Sequence, residues 1–336
     1  MSERRPSMAE VAKSIGVSHQ TVSRVVNGLP NVRPETREKV ERAIAELGYR
    51  RNNAARTLVT RKSGLIGVVA VGSYLYGPRI TLAGLEEAAR KHGYDILLST
   101  LAGARVDDLN DAINTCVNRS VEAIVVIATK DELVRHSQTL DVGVPVMVIG
   151  SGDNNPKFPN ILGVDQEEGG RLAARHVIGL GHKRIAIMAG PEDWLDALQR
   201  LKGASSECSR AGITPEIFEG SWNSETGYEL GVSLSMRPLE KRPSALIMPN
   251  DATALGVLLA FSRTGVRVPE DISVVGFDDI PESEFFHPPL TTIRQDFSLL
   301  GRQVMEAVLE CIRGERPSSV MVAPTLSLRS STAVMQ

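Results

Sequence analysis

The sequence predicts a small N-terminal all-α helix-turn-helix bundle joined to a larger α/β body of two lobes, each a parallel sheet flanked by helices. Three observations carry that expectation. Charge is divided along the chain: residues 1–62 hold 13 Lys and Arg against 6 Asp and Glu, whereas the rest holds 25 against 34. The first fifty residues place their apolar side chains at helical spacing. After residue 64 short aliphatic runs alternate with helical stretches, and the alternation starts twice, on either side of a polar, Pro-containing break at 150–160.

Composition sets the bounds. A chain of 336 residues can bury two or three separate cores, and aromatic content of only 4% makes those cores aliphatic. The basic head on an acidic body suggests that the head alone meets a polyanion. Cys116, Cys208 and Cys311 are far apart and none stands at metal spacing from a His, which reads as buried thiols in a reducing compartment. Arg4 and Arg5 are not followed by an apolar run, and no stretch approaches 18 uncharged apolar residues. A cytoplasmic protein is expected, with no cofactor and no metal.

In the head, Ser7 with Glu10 three residues on is a capping box that starts a helix, and Met8, Val11, Ala12 and Ile15 fall on one face of it. Gly16 suits a turn that needs positive φ, and Ser18 can cap a second helix. There Val22, Val25 and Val26 face inward and leave His19, Gln20, Ser23, Arg24 and Asn27 outside. Ala12, Gly16 and Val22 stand where a helix-turn-helix needs a small contact residue, a turn glycine and a buried aliphatic. Gln and Arg offer paired hydrogen bonds to adenine and guanine edges in a DNA major groove. The competing reading is a helical hairpin with a polar face. A third helix follows, with Pro34 in its first turn, a stripe of Val40, Ala43, Ile44 and Leu47, and Gly48 as its stop. Residues 49–62 form a basic linker. Its 52–59 part is either two helical turns that fold against a twin copy and the DNA minor groove, with Leu58 as a wedge, or a plain flexible connection.

In the body, strands are expected at 65–71, 94–98, 123–127 and 146–149, with helices at 80–92, 106–120 and 132–141. A second set places strands at 161–164, 184–188, 245–248 and 272–277, with helices at 166–180, 195–211, 224–236 and 252–263. After Pro288 and Pro289, a strand at 291–293 and a helix at 297–313 are expected to return to the first lobe. The boundaries are thus 1–50 for the head, 51–62 for the linker and 63–336 for the body. Within the body, lobe 1 takes 63–160 and 294–318, and lobe 2 takes 161–290 and 322–336. Ligands of open α/β sheets bind beyond the carboxyl ends of the strands, here in the cleft between lobes. Asn250 and Asp251 follow one strand and Asp278 and Asp279 another, while Trp222 offers a flat apolar face.

The run Val11-Ala12, Gly16-Val17-Ser18-His19-Gln20-Thr21-Val22-Ser23-Arg24-Val25-Val26-Asn27, then Ala45-Glu46-Leu47-Gly48-Tyr49, resembles the lac repressor (LacI/GalR) family. Further matches are Gly181-His182-Lys183-Arg184-Ile185, Val275-Gly276-Phe277-Asp278-Asp279 and Pro288-Pro289-Leu290-Thr291-Thr292-Ile293, and the likeness spans nearly the whole chain. It implies that His19, Gln20 and Arg24 read bases, that 52–59 is a hinge helix, and that Leu58 intercalates. It also implies DNA contacts from Ser7, Ser18, Thr21, Ser23, Asn27, Asn31, Thr36, Asn52 and Ala55. Arg33 stands where many relatives carry a Ser or Thr cap, and offers a phosphate contact instead. For the body the resemblance implies a two-lobed, periplasmic-binding-protein-like fold whose helices 80–92 and from Phe297 contribute to a dimer interface. Its effector contacts would be Leu75, Val164, Leu198, Trp222, Asn250 and Asp278, with Asp251 and Asp279 structural.

Two departures bear on the ligand. Leu198 replaces the Arg that many sugar-binding relatives carry, and Gly150 stands where some carry an acid. Loss of a buried hydrogen-bonding Arg changes which ligand can be satisfied. The function read from the sequence is a homodimeric DNA-binding transcription regulator, a repressor acting on a near-palindromic operator, set by a small molecule such as a sugar or nucleoside. The alternatives are a solute-binding protein of a transport system and a regulator governed by a protein co-regulator. An enzyme is disfavoured: there is no Walker loop, nucleophile elbow or HExxH, and adjacent Asp278 and Asp279 point to opposite sides of a strand.

Overall fold

The computed structural model describes residues 6–26, 28–49, 62–72, 74–101, 103, 105–151 and 161–335. They fall into two compact units, Met1–Ser63 and Gly64–Gln336.

The first unit holds helices α1 (Met8–Ser14), α2 (His19–Val26) and α3 (Pro34–Leu47). The capping box at α1 is reciprocal: Ser7 Oγ accepts from the Glu10 N–H at 3.3 Å, and the Glu10 carboxylate accepts from the Ser7 N–H at 2.6 Å. Gly16 takes φ 68°, which lets α2 fold back on α1, and Ser18 Oγ accepts from the Thr21 N–H at 3.1 Å. Val11, Ala12, Val22, Val25, Val40 and Ala43 form the core. Leu47, expected in that stripe, is 41% exposed. Tyr49 takes its place, because left-handed Gly48 turns the chain back so that the Tyr49 N–H bonds the Ile44 carbonyl at 3.0 Å.

Among its described residues the second unit contains two six-stranded sheets. The first joins β1 (Leu65–Val71), β2 (Asp95–Leu101), β3 (Ala123–Ile127), β4 (Val146–Ile149), β5 (Ile161–Val164) and β11 (Val320–Val322) in the order β11-β5-β4-β3-β1-β2, all parallel. Helices α4 (Tyr76–Lys91) and α11 (Phe297–Ile312) cover one face, and α5 (Val106–Asn118) and α6 (Asp131–Gln138) the other. The second sheet joins β6 (Ile185–Met188), β7 (Glu216–Phe218), β8 (Ala245–Ile247), β9 (Ser273–Asp278), β10 (Thr291–Arg294) and β12 (Thr325–Ser327) in the order β12-β10-β9-β8-β6-β7, parallel except for β12. Its faces are covered by α7 (Gln166–Gly179) with α8 (Leu195–Arg210), and by α9 (Ser224–Ser235) with α10 (Asp251–Thr264). Burial on both faces explains why the inner strands read as unbroken aliphatic runs.

Three expectations about the lobes are corrected by strand pairing. The strand at 161–164 does not open the second lobe: Val148 and Ile149 pair it into the first sheet. The strand at 291–294 does not return to the first lobe but lies beside β9, and only the helix after it crosses back. Val322, expected at the start of the second lobe's last segment, lies instead in β11 of the first sheet, where it pairs with Val164 of β5. A parallel neighbour is accepted wherever its hydrogen-bonding edge is free, and apolar runs alone carry no record of which edge that is. Among the described residues the chain therefore passes between lobes three times, after β5, after β10 and after β11. Among the described residues no helix is long and apolar enough to cross a membrane.

Candidate functional site

The head presents its polar side chains on one short helix. His19, Gln20 and Arg24 are all exposed on α2, as the inward turn of Val22 and Val25 requires. Ser7, Ser18, Asn31 and Arg33 are exposed as well, while Thr21, Ser23 and Thr36 are half-buried. Ser7 and Ser18 are engaged as caps, and Ser18 Oγ also lies 2.9 Å from Thr21 Oγ1. Arg33 precedes α3 with no side-chain capping bond. Asn27, Asn52, Ala55 and Leu58 lie outside the described residues.

The body holds a cavity of about 430 Å³ where the lobes meet. From the first lobe it is lined by Leu75, Thr129, Gly150, Ser151, Val164 and Phe297, and from the second by Trp194, Asp196, Arg200, Trp222, Asn250 and Asp278. The size suits a small molecule. Five of the six expected contacts line it. Leu198 does not: it is 44% exposed on the outer side of α8. A helix puts residues two apart on different faces, so once Ala197, Arg200, Ala204 and Cys208 face inward, Leu198 cannot.

Arg200 reaches the cavity instead, and sequence reasoning missed it. It closes a ring of four side chains at the crossings. Arg200 Nε donates to Gln166 Oε1 at 2.8 Å, Gln166 Nε2 donates to Gln295 Oε1 at 2.7 Å, and Gln295 Nε2 donates to Asp278 Oδ1 at 2.6 Å. Arg200 Nη1 completes the circuit 3.4 Å from Asp278 Oδ1 and donates to the Pro249 carbonyl at 2.5 Å. The guanidinium also lies 3.8 Å over the Phe277 ring and 5.4 Å from Trp222. Gln166 and Gln295 stand at two different crossings, so the ring ties both to the cavity floor. The signal for Arg200 was its place on the apolar stripe of α8, where a surface Arg does not belong.

Burial pushes the Asp278 carboxyl up to about 6, while Arg200 and Gln295 pull it down and the charge of Asp196 pushes it up. Its backbone sits at φ 111°, a region non-glycine residues avoid, at the carboxyl end of β9. Asp279 points the other way and accepts from Arg329 at 2.6 Å and from Ser327 at 2.9 Å, as a structural residue should. Asp251 is also structural: it is fully buried, accepts from Thr292 Oγ1 at 2.5 Å and from the Ile280 N–H at 2.9 Å, and does not line the cavity. Asn250 lines it but is committed, capping α10 at the Thr253 N–H and donating to the Trp222 carbonyl at 3.0 Å. Trp222 meets Trp194 edge to face with centroids 5.6 Å apart. Gly72, at φ 66°, makes room for Trp194, whose ring edge would lie 2.8 Å from any Cβ there.

Comparison with known proteins covers both units. Residues 7–52 match the family described as bacterial regulatory proteins, lacI family, and residues 174–332 match the periplasmic binding protein-like domain. The lactose operon repressor of Escherichia coli (strain K12) is 33% identical across 98% of this chain and 91% of that protein. The HTH-type transcriptional repressor PurR of Glaesserella parasuis serovar 5 (strain SH0165) is 34% identical across 97% of this chain and 98% of its own length. Among solved structures, the lac repressor dimer bound to operator and the anti-inducer ONPF matches with a TM-score of 0.89 at 32% identity, covering 98% of this chain and all of that one. The complex of the regulator CelR with cellobiose matches with a TM-score of 0.69 at 28% identity, covering 97% and 100%.

Proposed function

The chain belongs to the lacI family of bacterial regulatory proteins, and from that membership we propose how its two units divide one task. It is a DNA-binding transcription regulator whose second unit takes a small-molecule effector. The head of each copy in a homodimer sets α2 into the major groove of one half of a near-palindromic operator, where His19, Gln20 and Arg24 face base edges. Residues 52–59 serve as the hinge, with Leu58 as the minor-groove wedge, and Arg33 meets a phosphate. The protein acts in the cytoplasm as a repressor.

The observation that carries the effector reading is the 430 Å³ cavity at the chain crossings, lined from both lobes. A ligand that touches both lobes binds one relative pose better than another, and so shifts the population of dimers competent for DNA. A cavity of this size favours a small molecule over a protein co-regulator.

The test is operator selection from a random duplex pool with the full chain, followed by titration at several salt concentrations. A palindromic site with a steep salt slope is expected, as is a change in its affinity when a cleft ligand is added. Binding with no sequence preference would sink the head assignment. Operator affinity indifferent to every ligand that stabilises the protein would sink the effector assignment.

A further inference from the structure

The cleft contains a carboxylate that the ring leaves out. Asp278, Arg200, Gln166 and Gln295 satisfy one another, and Asn250 is committed to the α10 cap and the Trp222 carbonyl. Asp196, on the first turn of α8, is different. It is half-buried, has no cation within ion-pair distance among the described residues, and accepts one hydrogen bond, from Ser151 Oγ at 2.5 Å. Ser151 follows β4 of the first lobe, so this bond spans the cleft.

An acid in the first turn of a helix is ordinarily explained by the helix dipole. Here two observations off that helix point to a ligand. Thr129 is only 4% exposed and its Oγ1 has no hydrogen-bond partner, and the buried Trp222 Nε1 has none either; both residues line the same cavity. Unpaired buried polar atoms are costly, and rotating the Thr129 side chain about its Cα–Cβ bond would turn its hydroxyl toward the cavity, where a ligand hydroxyl could pair with it. The walls also hold more negative than positive charge. Asp196, Asp278 and Glu282 line the cavity against Arg79 and Arg200, and Arg200 is already balanced by Asp278. Such a site repels an anion and accepts from hydroxyls, beside the two indole rings.

We propose that Asp196 is the ligand-reading carboxylate of this cleft, and that Ser151 holds its oxygen until an uncharged, hydroxyl-rich ligand takes the serine's place. This assignment rests on the effector reading and narrows it to neutral sugars or polyols, excluding phosphorylated and carboxylated ones. Entry of the ligand exchanges a bond between the lobes for bonds from each lobe to the ligand. The same edge of the cleft also carries two other contacts between the lobes, the Leu195 N–H on the Thr129 carbonyl at 3.0 Å and Lys130 on Asp193 at 2.5 Å.

The test uses the full chain with glucose, galactose, lactose and cellobiose as neutral probes, and glucose 6-phosphate and galactose 6-phosphate as anions, each titrated calorimetrically. At least one neutral probe should bind, and both phosphates should bind at least about tenfold more weakly than it does. Asp196→Asn, nearly the same size, should weaken the neutral probe by about tenfold or more while the unliganded melting temperature stays close to the parent's. Ser151→Ala should tighten it by about threefold, because no cross-cleft bond has to be broken. Binding of a phosphate as tight as that of the neutral probes would overturn the proposal without recourse to any variant. So would unchanged affinity in Asp196→Asn, weaker binding in Ser151→Ala, or failure of all four neutral probes. Operator titration separates this from the broader reading. A sugar that binds through Asp196 but leaves operator affinity unchanged defeats the effector role and leaves this assignment standing. A phosphate that shifts operator affinity does the reverse.

Discussion

Arg200 and Asp278 face each other at 3.4 Å on the floor of the cleft, each 9% exposed. Both charges are largely withdrawn from solvent, so each depends on the other and on the glutamines that close the ring. The pair also holds the strained end of β9, where Asp278 has φ 111°. The floor is thus a preorganised polar network between two chain crossings, and the ligand-facing groups stand on top of it.

Removing one member of that pair should be expensive. Arg200→Met keeps the side-chain bulk against Phe277 but leaves the Asp278 carboxyl buried beside no cation, at a cost of about 3 kcal/mol near neutral pH. Urea denaturation followed by tryptophan emission reads the second unit alone, since Trp194 and Trp222 both lie there. Adding Asp278→Asn to Arg200→Met should return about 1 kcal/mol or more. Additive losses would mean that the two side chains do not act as a pair.

Much of this was legible in the sequence. The cap at Ser7, the turn at Gly16 and the strands at 65–71, 123–127 and 146–149 follow from local chemistry and from apolar runs, and the structure reproduces them. The crossings were not legible, because nothing local to 161–164 or 291–294 says which sheet edge will accept it. The same blindness displaced the site. Leu198 drew attention by a difference from relatives and hid the signal of Arg200 on the apolar stripe of α8, whereas Gln166, Gln295, Ser151 and Asp196 look like surface polar residues until the lobes are assembled. The short strands β7, β11 and β12 have too few residues to show a period.

Acidity should act through Asp251. Burial pushes its carboxyl up to about 8, with the charges of Asp278 and Asp279 adding to the rise against the Thr292 and Ile280 bonds. Between the ordinary value of 3.8 and about 8 the folded state therefore binds more protons than the unfolded one, and stability falls as pH rises. Asp278, raised to about 6, adds a fall of the same sign over the lower part of that window. Asp251→Asn should flatten the dependence, so its stability relative to the parent should rise by more than about 1 kcal/mol from pH 5 to pH 8. Parallel stability curves for the two proteins would contradict this.

Occupancy of the cleft should be visible without a label. The chain has two tryptophans, both line the cavity, and Trp222 Nε1 has no partner. Any ligand that hydrogen-bonds that nitrogen or excludes water from the rings should change intrinsic emission, saturating at the Kd found by calorimetry. Trp222→Phe should remove most of the signal and weaken binding about tenfold or more. An emission blind to a calorimetrically proven ligand would place that ligand elsewhere.

The sharpest test of the head concerns Arg24. It is exposed on α2, two residues past buried Val22 and one before buried Val25, so its direction is set by the core rather than by its own contacts. Replacing it by Ala removes no buried atom and should leave the unfolding of the head unchanged. On the selected operator the loss should be about 1–3 kcal/mol, concentrated at one base pair per half-site, where discrimination among the four bases should relax. A phosphate contact behaves otherwise: binding weakens evenly across sequences and the salt slope drops by about one. Arg33, exposed ahead of α3 with its side chain making no cap, should show that second pattern when changed to Ala. Titrating both variants against a set of single-base operator changes at two salt concentrations separates base reading from backbone positioning. If Arg24→Ala loses affinity evenly and keeps its base preference, α2 positions the head and the reading of sequence falls to His19 and Gln20.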